Sequence, residues 1–343
     1  MPALYSAGGG GDTGAIDIID SDPAMHITVL AFDGVFDTGL AAMLDVFATA
    51  NELSRLKYQG AQPFQVTLAG MRARVRSAHG FGIPAVRVGQ APRADIVLLP
   101  ALGTKTPAQL LPALERADVG DGIAYLKESV AHGADAAAAC ISTFVLAESG
   151  LLDEEEATTT WWLAPLFRER YPSVRLDPSR MVVASGRCLT SGAALSHLDL
   201  ALHIVRQRSP DLAALVARYL IVDQRPSQSA YAITHHLAHA DPLVQRFDRW
   251  ARARLGERIV LEDAAAALAT SKRTLARRLQ QVLGKTPVEH VQDLRIEQAV
   301  HLIRTSADSV ERIAAAVGYS DGATLRTLLR RRLGKGVREL RAG

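Results

Sequence analysis

The chain has 343 residues, of which 48% are hydrophobic and 22% charged, and its net charge at pH 7 is +3. This length suits two domains of about 100–200 residues each, and the apolar share excludes a largely disordered or fibrous protein. No uncharged apolar run reaches the roughly 18 residues that a transmembrane helix needs.

Residues 1–24 contain a glycine run and several acidic residues, without the basic start and apolar stretch of a signal peptide. We interpret them as a flexible tail. The two cysteines, Cys140 and Cys188, are too few for a disulfide framework and suit a reducing compartment. The sequence therefore predicts a soluble, cytoplasmic protein with no membrane partner.

From residue 25 to residue 222, short β-rich runs alternate with stretches of helical periodicity. A small-residue strand at Ala134–Cys140 is predicted to turn directly into a helix at Thr143–Ser149. This alternation indicates an α/β domain with a mostly parallel sheet. The other predicted strands are His26–Phe32, Phe64–Ala69, Ile96–Pro100, Ala157–Thr160, Met181–Ala184 and Cys188–Thr190. The other predicted helices are Gly39–Leu53, Ile123–His132, Ala193–Arg208 and Leu212–Tyr219.

The pattern fades over residues 223–242, which we interpret as a linker. Residues 243–343 have no strand-like run and are rich in Ala, Arg and Leu, which predicts an all-helical domain. Charge is divided unevenly: residues 241–343 hold 20 basic and 12 acidic residues, a net charge of +8, whereas residues 1–240 carry −5. A basic C-terminal third on an acidic body suggests a module that binds a polyanion.

The helical domain contains an internal duplication. Leu261–Leu268 is repeated 49 residues later as Val310–Val317, and Ser271 maps to Ser320 at the same offset. Each copy has a short helix with a small-residue face, a tight turn, a Ser placed as an N-cap, and a second helix rich in arginine. This is the signature of a helix-turn-helix unit, whose second helix enters the major groove of DNA.

The turn between the two helices requires a residue that tolerates a positive φ. Gly318 supplies it in the second copy, and Ala269 stands in the matching place of the first. The predicted recognition helices are Lys272–Val282 and Gly322–Leu333. Their arginines are suited to phosphate oxygens and guanine edges.

From about Val244 to Arg341 the chain resembles the DNA-binding domain of AraC/XylS-family regulators. The matching features are both helix-turn-helix units, the Gly-Lys-Thr-Pro turn at 284–287, the connecting helix Val288–Ile303 and the run at 317–320. The resemblance implies base-facing positions at Arg273, Ala276 and Arg277 in the first unit and at Gly322, Ala323 and Arg326 in the second. The predicted DNA-binding residues are Ser271, Lys272, Arg273, Ala276, Arg277, Arg278, Ser320, Gly322, Ala323, Arg326 and Arg330.

Residues 26 to about 208 resemble the DJ-1/PfpI branch of the class I glutamine amidotransferase-like fold. The matching segments are Asp33-Gly34, Leu98–Gly103, the Cys140 corner, Phe144–Leu152, Ala157–Trp161 and Thr190–Leu202. The resemblance implies a flavodoxin-like parallel sheet with helices on both faces. It also implies that residues 25–222 form a sensor and dimerisation domain. The order of the two domains resembles that of GlxA/FtrA-like regulators.

Cys140 stands where this fold carries a nucleophile, at a corner between a strand and a helix. A catalytic cysteine needs a base within hydrogen-bond reach. Ile141 replaces the histidine of protease-like members, Trp161 replaces a second one found in many sister regulators, and His79 and His197 lack motif support. We therefore predict a protein that is not an enzyme. The alternative hypothesis is a DJ-1/PfpI-type cysteine hydrolase or glyoxalase with an appended helical domain.

Ligands of open α/β sheets bind at the carboxyl ends of the strands. The residues predicted to bind a ligand there are Asp33, Asp37, Gly103, Cys140, Ile141, Trp161 and Ser191. Tryptophan could offer an aromatic wall to an amide or a cation, and the resemblance to sister regulators implies a small nitrogenous metabolite. Cys140 is equally compatible with a buried, inert role. Neither a cofactor nor a metal ion is indicated.

These features together predict a sequence-specific DNA-binding transcriptional regulator. Its expected partners are double-stranded promoter DNA, a second copy of the chain through the N-terminal domain, a small nitrogenous effector and, for an activator, RNA polymerase. A third hypothesis gives the N-terminal domain a role in dimerisation alone.

Overall fold

The computed structural model describes residues 23–58, 62–223, 225, 227–228, 241–334 and 336–342. Nearly all of the predicted tail and most of the predicted linker lie outside these residues. Within them, no helix is long and apolar enough to cross a membrane.

A seven-stranded sheet forms the centre of the N-terminal part. In space its strands follow the order β10-β11-β7-β6-β1-β2-β5 when strands are numbered along the chain. Every neighbouring pair is parallel except β10 and β11. The strands of the sheet are β1 (Met25–Leu30), β2 (Phe64–Gly70), β5 (Val86–Arg87), β6 (Ile96–Leu99), β7 (Asp135–Ala139), β10 (Val182–Ser185) and β11 (Cys188–Ser191).

Helices cover both faces of this sheet. A separate hydrophobic core lies on each face, and the alanines of β7 alternate between the two cores. Ala136 and Ala138 face one core, and Ala137 and Ala139 face the other. One face packs against α1 (Asp37–Tyr58), α6 (Ser196–Arg208) and α7 (Pro210–Tyr219). The other packs against α2 (Pro107–Leu114), α3 (Ala117–Ala131), α4 (Ser142–Glu148) and α5 (Ala164–Arg170).

The predicted elements occur in the predicted order, but several boundaries differ, and the helices α2 and α5 were not predicted. The strand predicted at Ala157–Thr160 is only the pair Glu156–Ala157, named β8, which joins Arg175–Leu176 (β9) in a small separate sheet. Thr158 bonds instead to Thr143 of α4 and Thr190 of β11, and the Thr159 hydroxyl donates to the Cys140 carbonyl. The hairpin of β3 (Arg74–Arg76) and β4 (Gly82–Pro84) was not predicted.

The C-terminal part is helical, as predicted. It packs as two hydrophobic cores that share the helix Pro287–Thr305: Val291 and Leu294 belong to the first core, and Ile296 and Ile303 to the second. That helix therefore joins the two copies of the duplication. The helices are α8 (Pro242–Arg252), α9 (Leu261–Ala267), α10 (Lys272–Leu283), α11 (Pro287–Thr305), α12 (Val310–Ala316), α13 (Gly322–Leu333) and α14 (Val337–Ala342).

The Gly-Lys-Thr-Pro turn ends one helix and begins the next. Gly284 adopts the left-handed conformation (φ 65°) as the C-cap of α10. Thr286 then caps α11 by a capping box with Glu289, and Pro287 occupies the first turn, where its missing N–H costs nothing. The motif therefore sets the direction in which α11 leaves the first unit.

The turn inside each helix-turn-helix unit has the predicted positive φ. Its value is 52° at Ala269 and 81° at Gly318. A Cβ added at Gly318 would lie 2.3 Å from the carbonyl oxygen of Leu255, so glycine is also required for space. Alanine at 269 adopts a backbone conformation that L-residues disfavour by about 1–2 kcal/mol.

Exchanging the residues at these two turns should have opposite effects. We expect Ala269→Gly to raise the free energy of unfolding by up to about 1 kcal/mol, because relief of strain exceeds the added entropy of the unfolded chain. We expect Gly318→Ala to lower it by more than about 1 kcal/mol, since strain and a backbone clash add. Urea denaturation measures both effects.

Ala266→Gly, on the exposed face of α9, is the matched control for the first change. It should destabilise the protein by about 1 kcal/mol, as glycine does within helices. A loss of stability from Ala269→Gly as large as that of the control would show that the first turn is not strained.

Candidate functional site

The helix α10 presents two unpaired arginines on its exposed side. Ser271 caps the helix by accepting a hydrogen bond from the Thr274 amide (3.1 Å), as predicted. Arg273 and Arg277 are exposed and one helical turn apart, and neither forms an ion pair within the described ranges. Leucines at 275, 279 and 283 are buried on the opposite face. The predicted first recognition helix is therefore amphipathic, with a basic outer face.

The other two cations of this helix are engaged in ion pairs. Arg278 pairs with Asp241, which is buried at the N-terminus of α8, and Lys272 pairs with Glu262 on α9. Arg278 thus links the predicted recognition helix to the first helix of the domain. Both side chains remain predicted DNA contacts, but contact with DNA requires that they share or exchange these partners.

The second recognition helix spans Gly322–Leu333, as predicted, but its N-cap lies one residue later than predicted. Asp321, and not Ser320, is the N-cap of α13: its carboxylate accepts a hydrogen bond from the Thr324 amide at 2.7 Å. The Ser320 hydroxyl donates to the same carboxylate at 2.9 Å. The prediction of Ser320 as N-cap was wrong, because the turn of the second unit is one residue longer than that of the first, so Asp321 takes the place of Ser271.

The start of α13 is packed against the preceding helix. Gly322 is buried, and a Cβ added there would lie 2.8 Å from a carboxylate oxygen of Glu311. Its predicted position facing the bases is therefore not supported. Ala323, Arg326 and Arg330 are exposed, with Arg326 paired to Glu311 at 2.7 Å.

In the N-terminal part, the corner after β7 holds Cys140 in the left-handed region, with φ 55°. Its amide donates to the Ser191 carbonyl (2.9 Å), and its carbonyl accepts from the Thr159 hydroxyl (2.9 Å). The side chain is buried. Burial raises the pKa of the Cys140 thiol to about 11, although the Ile141 and Ala194 amides and the Thr160 hydroxyl face it. The thiol is therefore neutral at pH 7 and is not poised as a nucleophile.

His197 lies at the same edge of the sheet, but the backbone occupies both of its ring nitrogens. Nε2 accepts a hydrogen bond from the Ala101 amide at 3.0 Å, and Nδ1 donates to the Ala194 carbonyl. Burial lowers the pKa of His197 to about 4, so the ring is neutral. Neither nitrogen is available to take a proton from a cysteine.

The contacts of the predicted ligand-binding residues fall into three groups. Cys140, Ile141 and Ser191 are buried together where β7 and β11 end. A second group lies at the loop after β1, where Gly103 donates to the Gly34 carbonyl at 2.6 Å. There the Asp33 carboxylate accepts from the Arg76 amide at 2.8 Å, and the Asp37 carboxylate pairs with His79 at 2.7 Å.

The remaining predicted residue, Trp161, lines a cleft of 210 Å³ between α5 and the helical part. In this cleft a Cβ added at Gly284 would lie 2.2 Å from the Arg168 guanidinium. A cation is favourable there because the C-terminus of α10 carries partial negative charge. Burial lowers the pKa of Arg168, and the charge of Asp177 opposes this effect.

Sequence reasoning missed two residues of structural importance. Arg168, within the predicted N-terminal domain, contacts the end of a predicted recognition helix, and Gln228, within the predicted linker, is buried beside Thr159. Among the residues that the structure covers, no cluster of three or more His, Cys, Asp or Glu side chains is suited to a metal ion.

Comparison with known proteins matches both parts. A helix-turn-helix domain model matches residues 264–343. The chain is 23% identical over 210 residues to the HTH-type transcriptional regulator GbdR of Pseudomonas aeruginosa, a match that covers 60% of this chain and 57% of that protein. It is 25% identical over 239 residues to the HTH-type transcriptional regulator ArgR of the same species, covering 68% of this chain and 70% of that one.

A solved structure extends the comparison to the fold of the N-terminal part. The THiJ/PfpI family protein of Pseudomonas syringae superposes with a TM-score of 0.50 at 18% identity, covering 64% of this chain and 84% of that one. The predicted fold class is confirmed, and so is the predicted resemblance to regulators of this architecture. Residues 264–343 thus match a helix-turn-helix domain, carried by a chain whose N-terminal part has the fold of the THiJ/PfpI family protein.

Proposed function

We propose that this chain is a sequence-specific DNA-binding regulator of transcription that acts in the cytoplasm and is controlled by a small molecule. The observation that carries the proposal is the pair of helix-turn-helix units on one shared helix, each with an exposed arginine-bearing second helix. The names of the relatives support the same class of protein.

The proposed base contacts combine the predicted positions with exposure in the structure. Arg273, Ala276 and Arg277 form the reading surface of the first unit, with Ala276 half-buried. Ala323 and Arg326 form that of the second, where Arg326 has to share or exchange its partner Glu311 to reach DNA. The small side chains of the second helix leave it more dependent on phosphate contacts, to which Arg330 contributes. In a homodimer joined by the N-terminal domains, each chain contacts one half of a promoter site. An activator of this kind also contacts RNA polymerase.

Arg277→Ala should weaken binding to the operator by about 1–3 kcal/mol and relax its sequence preference, as expected for a bidentate contact to guanine. The arginine is exposed and forms no ion pair in the described parts of the chain, so its loss should not disturb the fold. Binding to the operator and to random DNA, measured by fluorescence anisotropy at several salt concentrations, checks this prediction.

Arg218→Ala is the matched control, because it removes an equally exposed arginine from α7 of the N-terminal part. It should leave binding unchanged. Equal weakening on operator and random DNA, with the slope of log K against log salt reduced by about 1, would assign Arg277 to a phosphate instead. Failure of the unaltered protein to bind DNA with any salt dependence would contradict the proposed function.

We propose that the N-terminal domain acts without catalysis. The support is the neutral buried thiol of Cys140 and the occupied ring of His197, since a nucleophilic cysteine needs a thiolate and a base. We expect Cys140 in the native protein to react with iodoacetamide at pH 7.5 at least tenfold more slowly than in urea. Mass spectrometry of the Cys140 peptide measures the difference.

Cys188 serves as an internal reference for the same experiment, because burial also raises the pKa of its thiol to about 11. Native labelling of Cys140 that is faster than that of Cys188 would favour the hydrolase or glyoxalase hypothesis. Turnover of an amide or glyoxal substrate that Cys140→Ser abolishes would establish it.

The proposed effector is a small nitrogenous metabolite. A ligand that binds only the folded protein raises its melting temperature, since stability increases by RT ln(1 + [L]/Kd). We therefore expect at least one compound in a thermal-shift panel of amino acids, amines and betaines to stabilise the protein, with Arg277→Ala responding equally. Absence of a shift across the panel would favour a domain that only dimerises.

A further inference from the structure

The first described residues of the connecting segment lie in contact with the N-terminal domain. The Arg225 guanidinium pairs with Asp199 at 2.5 Å and donates to the Leu195 carbonyl at 2.9 Å. The Ser227 hydroxyl and the Gln228 amide both donate to the Ser179 carbonyl, at 2.7 and 2.9 Å. A segment predicted to be a simple linker is thus attached to the domain at several points.

The side chain of Gln228 makes the most complete of these contacts. It is 1% exposed, and its Oε1 accepts a hydrogen bond from the Ala193 amide at 2.9 Å. Its Nε2 donates to the Thr159 carbonyl at 2.8 Å and lies 3.2 Å from the Thr158 hydroxyl. The buried carboxamide therefore uses both its acceptor and its donors. These hydrogen bonds matter, because a buried amide without partners is destabilising.

The slot that holds this carboxamide exists because residue 192 is glycine. A Cβ added at Gly192 would lie 2.5 Å from the amide carbon of Gln228. The slot has two walls: the run at 158–160 supplies acceptors, and the run at 192–194 supplies a donor. Even one added methyl group on the second wall would exclude the side chain.

The same two walls contact Cys140. The Thr159 hydroxyl donates to the Cys140 carbonyl at 2.9 Å, and the Thr160 hydroxyl and the Ala194 amide face its thiol. Neighbouring residues of each wall therefore touch Cys140 on one side and Gln228 on the other. A change in the separation of the walls at Cys140 changes the slot for Gln228.

We propose that Gln228 is a latch, which holds the connecting segment on the N-terminal domain and opens when the walls beside Cys140 separate. This proposal deepens the proposed function, on which it rests, by naming the contact through which an event in the N-terminal domain reaches the DNA-binding domain. With the latch closed, Gln228 holds the connecting segment against the N-terminal domain beside Thr159. With the latch open, the helical domain is held to the N-terminal domain only by other contacts, such as that of Arg168 with Gly284.

Amide hydrogen exchange of the full-length protein tests the latch without DNA. Gln228→Glu keeps the shape of the side chain but places a carboxylate against the Thr159 carbonyl, and Gly192→Ala fills the slot without altering Gln228. We expect each to accelerate exchange of the Ala193 amide at least tenfold. The control Gln207→Ala, on the exposed face of α6, should leave that exchange unchanged.

Thr159→Val tests the coupling, because it removes the hydrogen bond to the Cys140 carbonyl while preserving the backbone carbonyl that Gln228 uses. We expect it to accelerate exchange of the Ala193 amide at least threefold. If Thr159→Val leaves exchange of the Ala193 amide unchanged, Gln228 is a fixed contact that does not respond to Cys140. If both Gln228→Glu and Gly192→Ala leave that exchange unchanged, the latch is excluded.

DNA binding of the same variants separates the latch from the proposed function. Variants that bind DNA but leave exchange of the Ala193 amide unchanged would overturn the latch and not the proposed function.

Discussion

The pairing of β7 with strands on both sides determines what stands at the carboxyl edge of the sheet. Because β7 lies between β6 and β11 and is parallel to both, its end is enclosed and its alanines must fit between two layers of helices. The hydrogen bond from the Cys140 amide to the Ser191 carbonyl extends the β11 ladder one residue beyond the strand. The chain must then turn at once into α4, which forces Cys140 to the positive φ. The thiol is consequently buried between two loops and surrounded by their backbone groups.

In the helical domain the corresponding constraint is the shared helix α11. Its first half belongs to the core of one helix-turn-helix unit and its second half to the core of the other. One continuous helix therefore fixes the two units relative to each other. In the proposed function, two recognition helices fixed in this way would meet DNA together, and a base contact in one unit would position the other. Two ion pairs also hold the recognition helices in place. Arg278 with Asp241 and Arg326 with Glu311 each connect a recognition helix to an earlier helix.

Sequence reasoning predicted the features that depend on local pattern. Alternation of strands and helices gave the parallel sheet, and the duplication gave both helix-turn-helix units and the positive φ at Ala269 and Gly318. The N-cap of α13 could also have been predicted from the sequence. Leu275 and Leu325 differ by 50 positions, and the same offset aligns Ser271 with Asp321. The offset of 49, which holds for the preceding helix, led to Ser320 instead.

What could not be predicted depends on contacts between residues far apart in the chain. Arg278 and Asp241 are 37 residues apart, and only the packing of α10 on α8 brings them together. The contacts of the predicted ligand-binding residues, such as Asp37 with His79, likewise join residues far apart in the chain. Gln228 stood in a polar run typical of linkers, and its burial depends on space left by Gly192, 36 positions earlier in the chain.

These contacts give the run from Thr158 to Arg170 a connecting role between the two parts of the molecule. At its start, Thr159 bonds to both Cys140 and Gln228, and near its end Arg168 lies against Gly284 at the C-terminus of α10. A helix moves as a unit because its backbone hydrogen bonds are internal, so under the proposed latch a shift of the threonines would reach that guanidinium through α5, which begins four residues after Thr160. The same shift would loosen the hold on the connecting segment. Under the proposed latch, both contacts would connect the surroundings of Cys140 to the helical part, although the Cys140 thiol itself is buried and neutral.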